Sequence, residues 1–300
     1  MSFVAAMDVG GTHARLALKP QGQSPLFFDA PGFTLHQNGA KEVARRCGEL
    51  FSQALNSAGL TAGQCAALCC GAAGVDSEED RAQYWKILQS LGFPNVFVWN
   101  DCELPLAEHP VPSVLIAAGT GSVVMARNAQ GAFFRSGGWG FFTSDEGSAC
   151  RLALDGLCCA SRAWDGVCPS PVLTDLLEKE ADLHTPGQAE TFVRTHWAEK
   201  HRLAALAPLV CRAAQAGDPP ARQVLERHAG MLAESAAAIA RAAGLTHPPI
   251  LLWGSLLTAT DALRQPLIRA LNAQNLGNVQ LLKKTALESG LCLARRLCER

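Results

Sequence analysis

Basic clusters are missing from this sequence: no run of Lys or Arg is longer than two, and the formal net charge is −1. A surface that grips nucleic acid or anionic lipid needs a concentrated positive field, so neither partner is expected. Long apolar runs are missing as well. The longest uncharged apolar stretch, Val111 to Ala126, is broken by Pro112, Gly119 and Gly121, and the opening run from Phe3 stops at Asp8 with no basic segment before it. Neither suits a membrane span or a secretion signal, and a cytoplasmic protein is expected.

The 12 cysteines include no Cys-x-x-Cys pair, and no Cys/His set has zinc spacing. Many occupy core-like positions, which makes them reduced, buried thiols rather than a disulfide framework or a metal centre. Two nucleotide motifs are also absent. No G-x-x-x-x-G-K-[ST] occurs and no G-x-G-x-x-G follows the first strand, so P-loop and dinucleotide-binding readings fail.

A chain of 300 residues with 48% hydrophobic content can bury a full core and suits two domains. An apolar run from Phe3 to Val9 leads into Asp8-Val9-Gly10-Gly11-Thr12, then alternating strands at Arg15 to Lys19 and Leu26 to Ala30. Spacings of three and four residues from Val43 to Leu55 predict an amphipathic helix ending at Gly59. A βαβ pattern comes next: a strand at Ala66 to Cys70 opening into Gly71-Ala-Ala-Gly74, a helix capped by Ser77, and a strand at Asn95 to Trp99 ending in Asn100-Asp101.

The opening pattern then returns. Strand Ser113 to Ala118, glycine turn Gly119-Thr120-Gly121-Ser122, strand Val123 to Arg127, a second turn and strand Ala132 to Arg135 repeat strand, turn, strand, turn, strand. This predicts an α/β protein of two related domains, 1–111 and 112–300, with a cleft between them. From Asp145 on the chain reads as mostly helical, with late strands at Ile250 to Trp253 and near Val279 to Leu282.

Glycine turns at strand ends can aim several backbone N–H groups at one phosphate, because no Cβ blocks the approach. Asp8, beside the first turn, is a candidate to hold a cation through water, against the alternative of a carboxylate that bonds its own hairpin. Asp101 is a candidate general base, against the alternative of an ordinary Asn-Asp turn. Gly137-Gly138-Trp139-Gly140 and Ser144-Asp145-Glu146-Gly147-Ser148 join a glycine loop to a helix start; Glu146 is expected to cap the helix and Asp145 to bind a polyhydroxyl ligand. Asn38 is either a ligand amide or a turn residue before Gly39.

In this order, Asp8-Val-Gly-Gly-Thr12, Asn100-Asp101, Ala118-Gly-Thr-Gly-Ser122, Gly137-Gly-Trp-Gly140, Asp145-Glu-Gly-Ser148 and Trp253-Gly-Ser255 resemble the N-acetylglucosamine kinases of the BadF/BadG/BcrA/BcrD ATPase family. That family belongs to the sugar kinase, Hsp70 and actin superfamily. The resemblance implies two actin-like (ribonuclease H-like) domains and ATP with Mg²⁺ as cofactors. It implies a phosphate loop at Asp8, Gly10, Gly11 and Thr12, with Asp8 as the metal residue, and a second at Gly119, Thr120, Gly121 and Ser122. Gly254 and Ser255 would meet adenosine, Asp101 would be the catalytic base, and Asn38, Asp101, Thr120, Trp139 and Asp145 would line the sugar site. Val9 departs from a glycine frequent in the first loop.

The activity so implied is phosphorylation of N-acetylglucosamine, at O6, by a cytoplasmic homodimer. The alternatives are a glucosamine kinase and an ATPase activator of a dehydratase or reductase carrying an iron–sulfur cluster, whose nucleotide loops look alike. The segment after Gly121 alternates as a strand rather than forming a Cys-bearing helix, which counts against the cluster.

Overall fold

The computed structural model describes residues 2–299, which divide into two compact units. The first carries β1 (Phe3–Val9), β2 (His13–Pro20), β3 (Leu26–Pro31), α1 (Leu35–Ala58), β4 (Cys65–Ala72), α2 (Glu78–Ser90), β5 (Val96–Trp99) and α3 (Glu103–Glu108). The second carries β6 (Ser113–Ala118), β7 (Ser122–Arg127), β8 (Phe133–Gly137), α4 (Ala149–Trp164), α5 (Pro171–Ala181), α6 (Pro186–His196), α7 (Lys200–Ala204), α8 (Ala207–Gln215), α9 (Pro219–Ala242), β9 (Ile250–Trp253), α10 (Ser255–Thr258), α11 (Asp261–Ala273) and β10 (Val279–Leu281). The closing helix α12 (Ala286–Cys298) belongs again to the first unit.

Each unit is built on a five-stranded sheet, ordered β3-β2-β1-β4-β5 in one and β8-β7-β6-β9-β10 in the other. In both, the first three strands form an antiparallel meander and the last two run parallel to the first. The repetition expected from the sequence is therefore one strand order used twice.

Strand β1 shows why Asp8 stands apart. Its side chains alternate between the two faces of the sheet, so Phe3, Met7 and Val9 join the core with Val43, Phe51 and Leu88, while Ala6 and Asp8 point to the opposite face. That opposite face is covered by α12. A Cβ built on Gly290 would come within 2.8 Å of the Ala6 Cβ, so two small residues bring this helix close to the strand. This packing places the chain from Lys284 on with the first unit, a correction to the expected domain 112–300: the second unit ends at Lys283. The sequence pattern shows an amphipathic helix here but not which sheet it covers.

Helix α1 begins earlier than the periodicity predicts. Thr34 caps it by accepting the Gln37 N–H at 3.2 Å, and the chain kinks at Gly39 (φ 73°, ψ 158°) before the regular helix runs on to Ala58. In the second unit the long α9 packs under the sheet, and Asp218, 1% exposed, caps it through the Ala221 N–H while accepting from Ser170 and Leu173 at the start of α5. All 12 cysteines are free, and burial pushes the Cys47 and Cys65 thiols up to about 12, so they stay protonated. Among the described residues no helix is long and apolar enough to cross a membrane.

Candidate functional site

In the first unit the glycine turn between β1 and β2 is closed by the Gly10 N–H donating to the His13 carbonyl at 2.8 Å. Gly32 lies directly against it: a Cβ there would stand 2.5 Å from the Gly11 carbonyl carbon and the His13 nitrogen. The turn is thus held from behind, while Gly11 and Thr12 stay exposed. Asn38 sits in the first turn of α1, where its Oδ1 accepts the Thr34 N–H at 3.0 Å, so its carboxamide oxygen serves the helix start.

Asp8 pairs in register with Gly71 of β4, and Gly71 with Trp99 of β5, which sets Asp8 and Asp101 on strand ends of one parallel set. Gly71 lets the turn after β5 lie close against β4, since a Cβ there would stand 3.3 Å from the Asp101 Cα. The turn after β5 is fastened by Asn100. Its Oδ1 accepts the Cys102 N–H at 3.0 Å, its Nδ2 donates to Asp76 at 3.1 Å, and its own N–H donates to the buried Glu103 at 2.9 Å. Arg81 pairs with Glu103 at 3.0 Å. Asn100 therefore does the turn-forming work that the sequence alone leaves open between it and Asp101.

The Asp101 carboxyl is pushed up to about 6, by burial first and then by Asp8 and Asp76, against its own turn's amides. Asp8 is raised too, by burial, with Arg15 opposing. Two carboxyls raised by burial, one of them raised further by the other, at the carboxyl ends of parallel strands form a place prepared for a cation or a transferable proton.

In the second unit the turn Gly119-Thr120-Gly121 follows β6, with Thr120 and Gly121 exposed. The start of α4 fastens it: the Ala149 N–H donates to the Gly119 carbonyl at 2.8 Å and the Cys150 N–H to the Thr120 carbonyl at 3.3 Å. Ser122, buried, donates to the Glu146 carbonyl at 2.7 Å. Gly254 lies beside this turn. Its backbone (φ 93°, ψ 158°) is open only to glycine, and a Cβ would stand 2.7 Å from the Ala118 carbonyl carbon.

Asp145 adopts a left-handed backbone (φ 63°), and its Oδ1 accepts the Gly140 N–H at 3.0 Å, so it ties the Gly137–Gly140 loop together. Its other oxygen faces Gly121, where an added Cβ would lie 3.0 Å away. Burial raises its carboxyl, with the Gly140 amide and Lys200 opposing. The helix is capped by Ser148, which accepts the Arg151 N–H, and its first turn holds no acid, so the expected capping role of Glu146 is corrected. Trp139 is 67% exposed and lies under Arg135, whose guanidinium carbon is 4.3 Å from the ring centroid.

Within each unit, then, the expected residues gather: Asp8, Gly10 and Asp101 in one, Gly119 to Ser122, Asp145 and Gly254 in the other. Gly32, Gly71 and Asn100 are absent from the expected site yet shape it. Their signal, a glycine or turn residue at a strand end, is too common in sequence to single them out.

The profile of the BadF/BadG/BcrA/BcrD ATPase family matches residues 7–281. The chain belongs to this family. The chain is 26% identical over 257 residues to the N-acetylmuramic acid/N-acetylglucosamine kinase of Clostridium acetobutylicum, covering 84% of each. It is 26% identical over 304 residues to the N-acetyl-D-glucosamine kinase of Dictyostelium discoideum, covering 93% of this chain and 92% of that one. A crystal structure from Chromobacterium violaceum, provisionally assigned as an N-acetylglucosamine kinase, aligns over 98% of this chain and 99% of its own with a TM-score of 0.74 and 26% identity. The fold of this BadF/BadG/BcrA/BcrD member is accordingly the doubled α/β architecture of the actin-like sugar kinases.

Proposed function

We propose that this protein is an ATP-dependent kinase that phosphorylates N-acetylglucosamine, at O6. The observation that carries the reading is Asp101: a carboxyl raised to about 6 beside a second carboxyl, at a strand end of an actin-like unit. Ionised near neutral pH yet still basic, it suits removal of a proton from an attacking hydroxyl.

In this reading the amides of Gly10, Gly11 and Thr12 form one phosphate loop, and those of Gly119, Thr120, Gly121 and Ser122 a second. Gly254, which admits no side chain, and Ser255 leave room for adenosine. Asp8 fits a water-mediated contact to Mg²⁺, because burial desolvates its carboxylate and raises its proton affinity against the opposing charge of Arg15. Mg²⁺, when bound, neutralises charge on the β- and γ-phosphates. Asp145 and Thr120 hold sugar hydroxyls, with Trp139 and Asn38 completing the acceptor site. A cytoplasmic homodimer is the setting this reading carries; sizing the protein in solution tests the assembly.

An acetamido rather than an amino substituent is favoured by the loop before Asp145. Gly137 to Thr143 contains no acid, and Arg135 places a positive charge beside it, which would repel an ammonium group. Kinetics on N-acetylglucosamine, glucosamine and glucose with coupled ADP detection test this, with the phosphorylated position read by NMR. A higher kcat/KM for N-acetylglucosamine is expected. Preference for glucosamine would overturn the acetyl assignment, and ADP formation with no sugar dependence would overturn the kinase reading.

A further inference from the structure

His228 lies on the apolar face of α9, between Val224, Leu225, Ala229 and Leu232, and is only 1% exposed. It does not simply fill space. Its Nδ1 stands 3.0 Å from the backbone nitrogen of Gly147, and its Nε2 stands 2.7 Å from Asp155 Oδ2 on α4. A backbone N–H can only donate, so Nδ1 must be the bare, accepting nitrogen and Nε2–H must donate to the carboxylate. Asp155, also paired with Arg227 at 2.5 Å, fixes this tautomer.

Gly147 lies two residues from Asp145, in the segment that turns from the glycine loop into α4. That segment bears a non-glycine residue with positive φ, Asp145 itself, and such a backbone persists only where its surroundings hold it. Three ties do so. The Gly140 N–H bonds the Asp145 carboxylate, Ser122 bonds the Glu146 carbonyl, and His228 bonds the Gly147 amide. The third comes from another helix and is the best shielded from water. Close packing adds to it, because Gly147 lies so near α9 that a Cβ would stand 3.0 Å from Leu232 Cγ.

We propose that His228, oriented by Asp155, is a positioning residue that clamps the Gly147 amide and so sets Asp145 for the sugar. The inference rests on Asp145 as the acceptor ligand. It assigns acceptor affinity partly to a side chain that touches no substrate.

Two substitutions separate the two ring nitrogens. In His228→Asn the side-chain oxygen replaces Nδ1 and still accepts from Gly147, whereas in His228→Gln the amide nitrogen replaces Nε2 and reaches Asp155 only. The Gln variant is expected to raise KM for N-acetylglucosamine about tenfold, the size of one hydrogen bond, with KM for ATP unchanged. The Asn variant is expected to stay within about twofold of wild type. Hydrogen exchange at the Gly147 amide should quicken in Gln and not in Asn. Equal sugar KM values or equal Gly147 exchange in the two variants would overturn the clamp, since a merely structural histidine predicts that. The intact wild-type protein gives a check free of folding: ¹⁵N NMR is expected to show Nε2–H, and an Nδ1–H tautomer would overturn the proposal. Absence of any amino sugar turnover by wild type would remove the kinase reading and this role together, whereas turnover with equal KM values removes the role alone.

Discussion

The two sheets share one strand order, and each places a glycine turn after its first strand, yet they surround their carboxylates with different partners. In the first unit, burial raises the carboxyls of both Asp8 and Asp101, and Asp8 pushes Asp101 up further. In the second, Asp145 is met by the Gly140 amide and by Lys200, both of which oppose the effect of burial. One frame thus yields a carboxylate pair ready to accept a proton or a cation, and a carboxylate stiffened for hydrogen bonding. The difference arises in the segment that supplies the second partner: a parallel strand ending in Asn100-Asp101 in one case, a glycine loop and helix start in the other.

The sharpest way to break this comparison is Asp101→Asn. It removes the proposed proton acceptor and keeps the shape, so kcat should fall by about a thousandfold with ATP affinity little changed. In the wild type only the ionised carboxyl accepts a proton, so activity should decline as pH falls through about 6. A variant with near wild-type turnover would remove Asp101 from the chemistry.

Next come the two glycines that lie against the turns. Gly32→Ala would set a Cβ 2.5 Å from His13 N, and Gly254→Ala would set one 2.7 Å from the Ala118 carbonyl carbon on a backbone only glycine favours. Each should cost about 3 kcal/mol in denaturant unfolding. Unchanged stability in either would mean that the matching turn moves freely.

A smaller effect is expected for Asp145→Asn. The carboxamide oxygen can still accept the Gly140 N–H, so the loop should survive, while the loss of charge-assisted bonds should raise the sugar KM by about tenfold or more. An unaltered sugar KM would leave Asp145 as a loop brace only.

The smallest effect is thermodynamic. The Asp101 carboxyl has a raised value in the folded state, so below about pH 4 it is protonated in folded and unfolded chains alike and costs nothing. Between about pH 4 and about 6 the unfolded chain ionises first, and wild-type stability falls as pH rises. Asp101→Asn lacks this loss, so its stability should rise relative to wild type across that window and the advantage should persist above it. A constant difference at all pH values would show that the carboxyl is not perturbed.

Much of the fold is legible in the sequence because strand alternation and turn chemistry are local. The edges of β6 and β9 follow from apolar runs bounded by Pro, Gly and Ser, and the cap of α2 follows from Ser77. The start of α1 is not, because a kink at Gly39 interrupts the periodicity that would reveal it. The cap of α4 is misread for a related reason: Ser144, Asp145, Glu146 and Ser148 all suit a helix start, and only the path of the chain selects Ser148.

The candidate site divides along the same line. Residue types and spacing mark Asp8, Asp101, Asp145 and the glycine turns, since phosphate and sugar chemistry need carboxylates and open backbone at strand ends. Which of Asn100 and Asp101 builds the turn, which helix covers Ala6, and what the buried His228 holds are decided by neighbours 24 to 284 residues away in the chain. The sequence by itself therefore determines the strand order's repeating units and the chemical inventory, because those depend on periods of two to four residues and on side-chain type. Only the tertiary structure decides the pairings that set proton affinity and loop position, because desolvation and backbone hydrogen bonding arise when distant segments pack together.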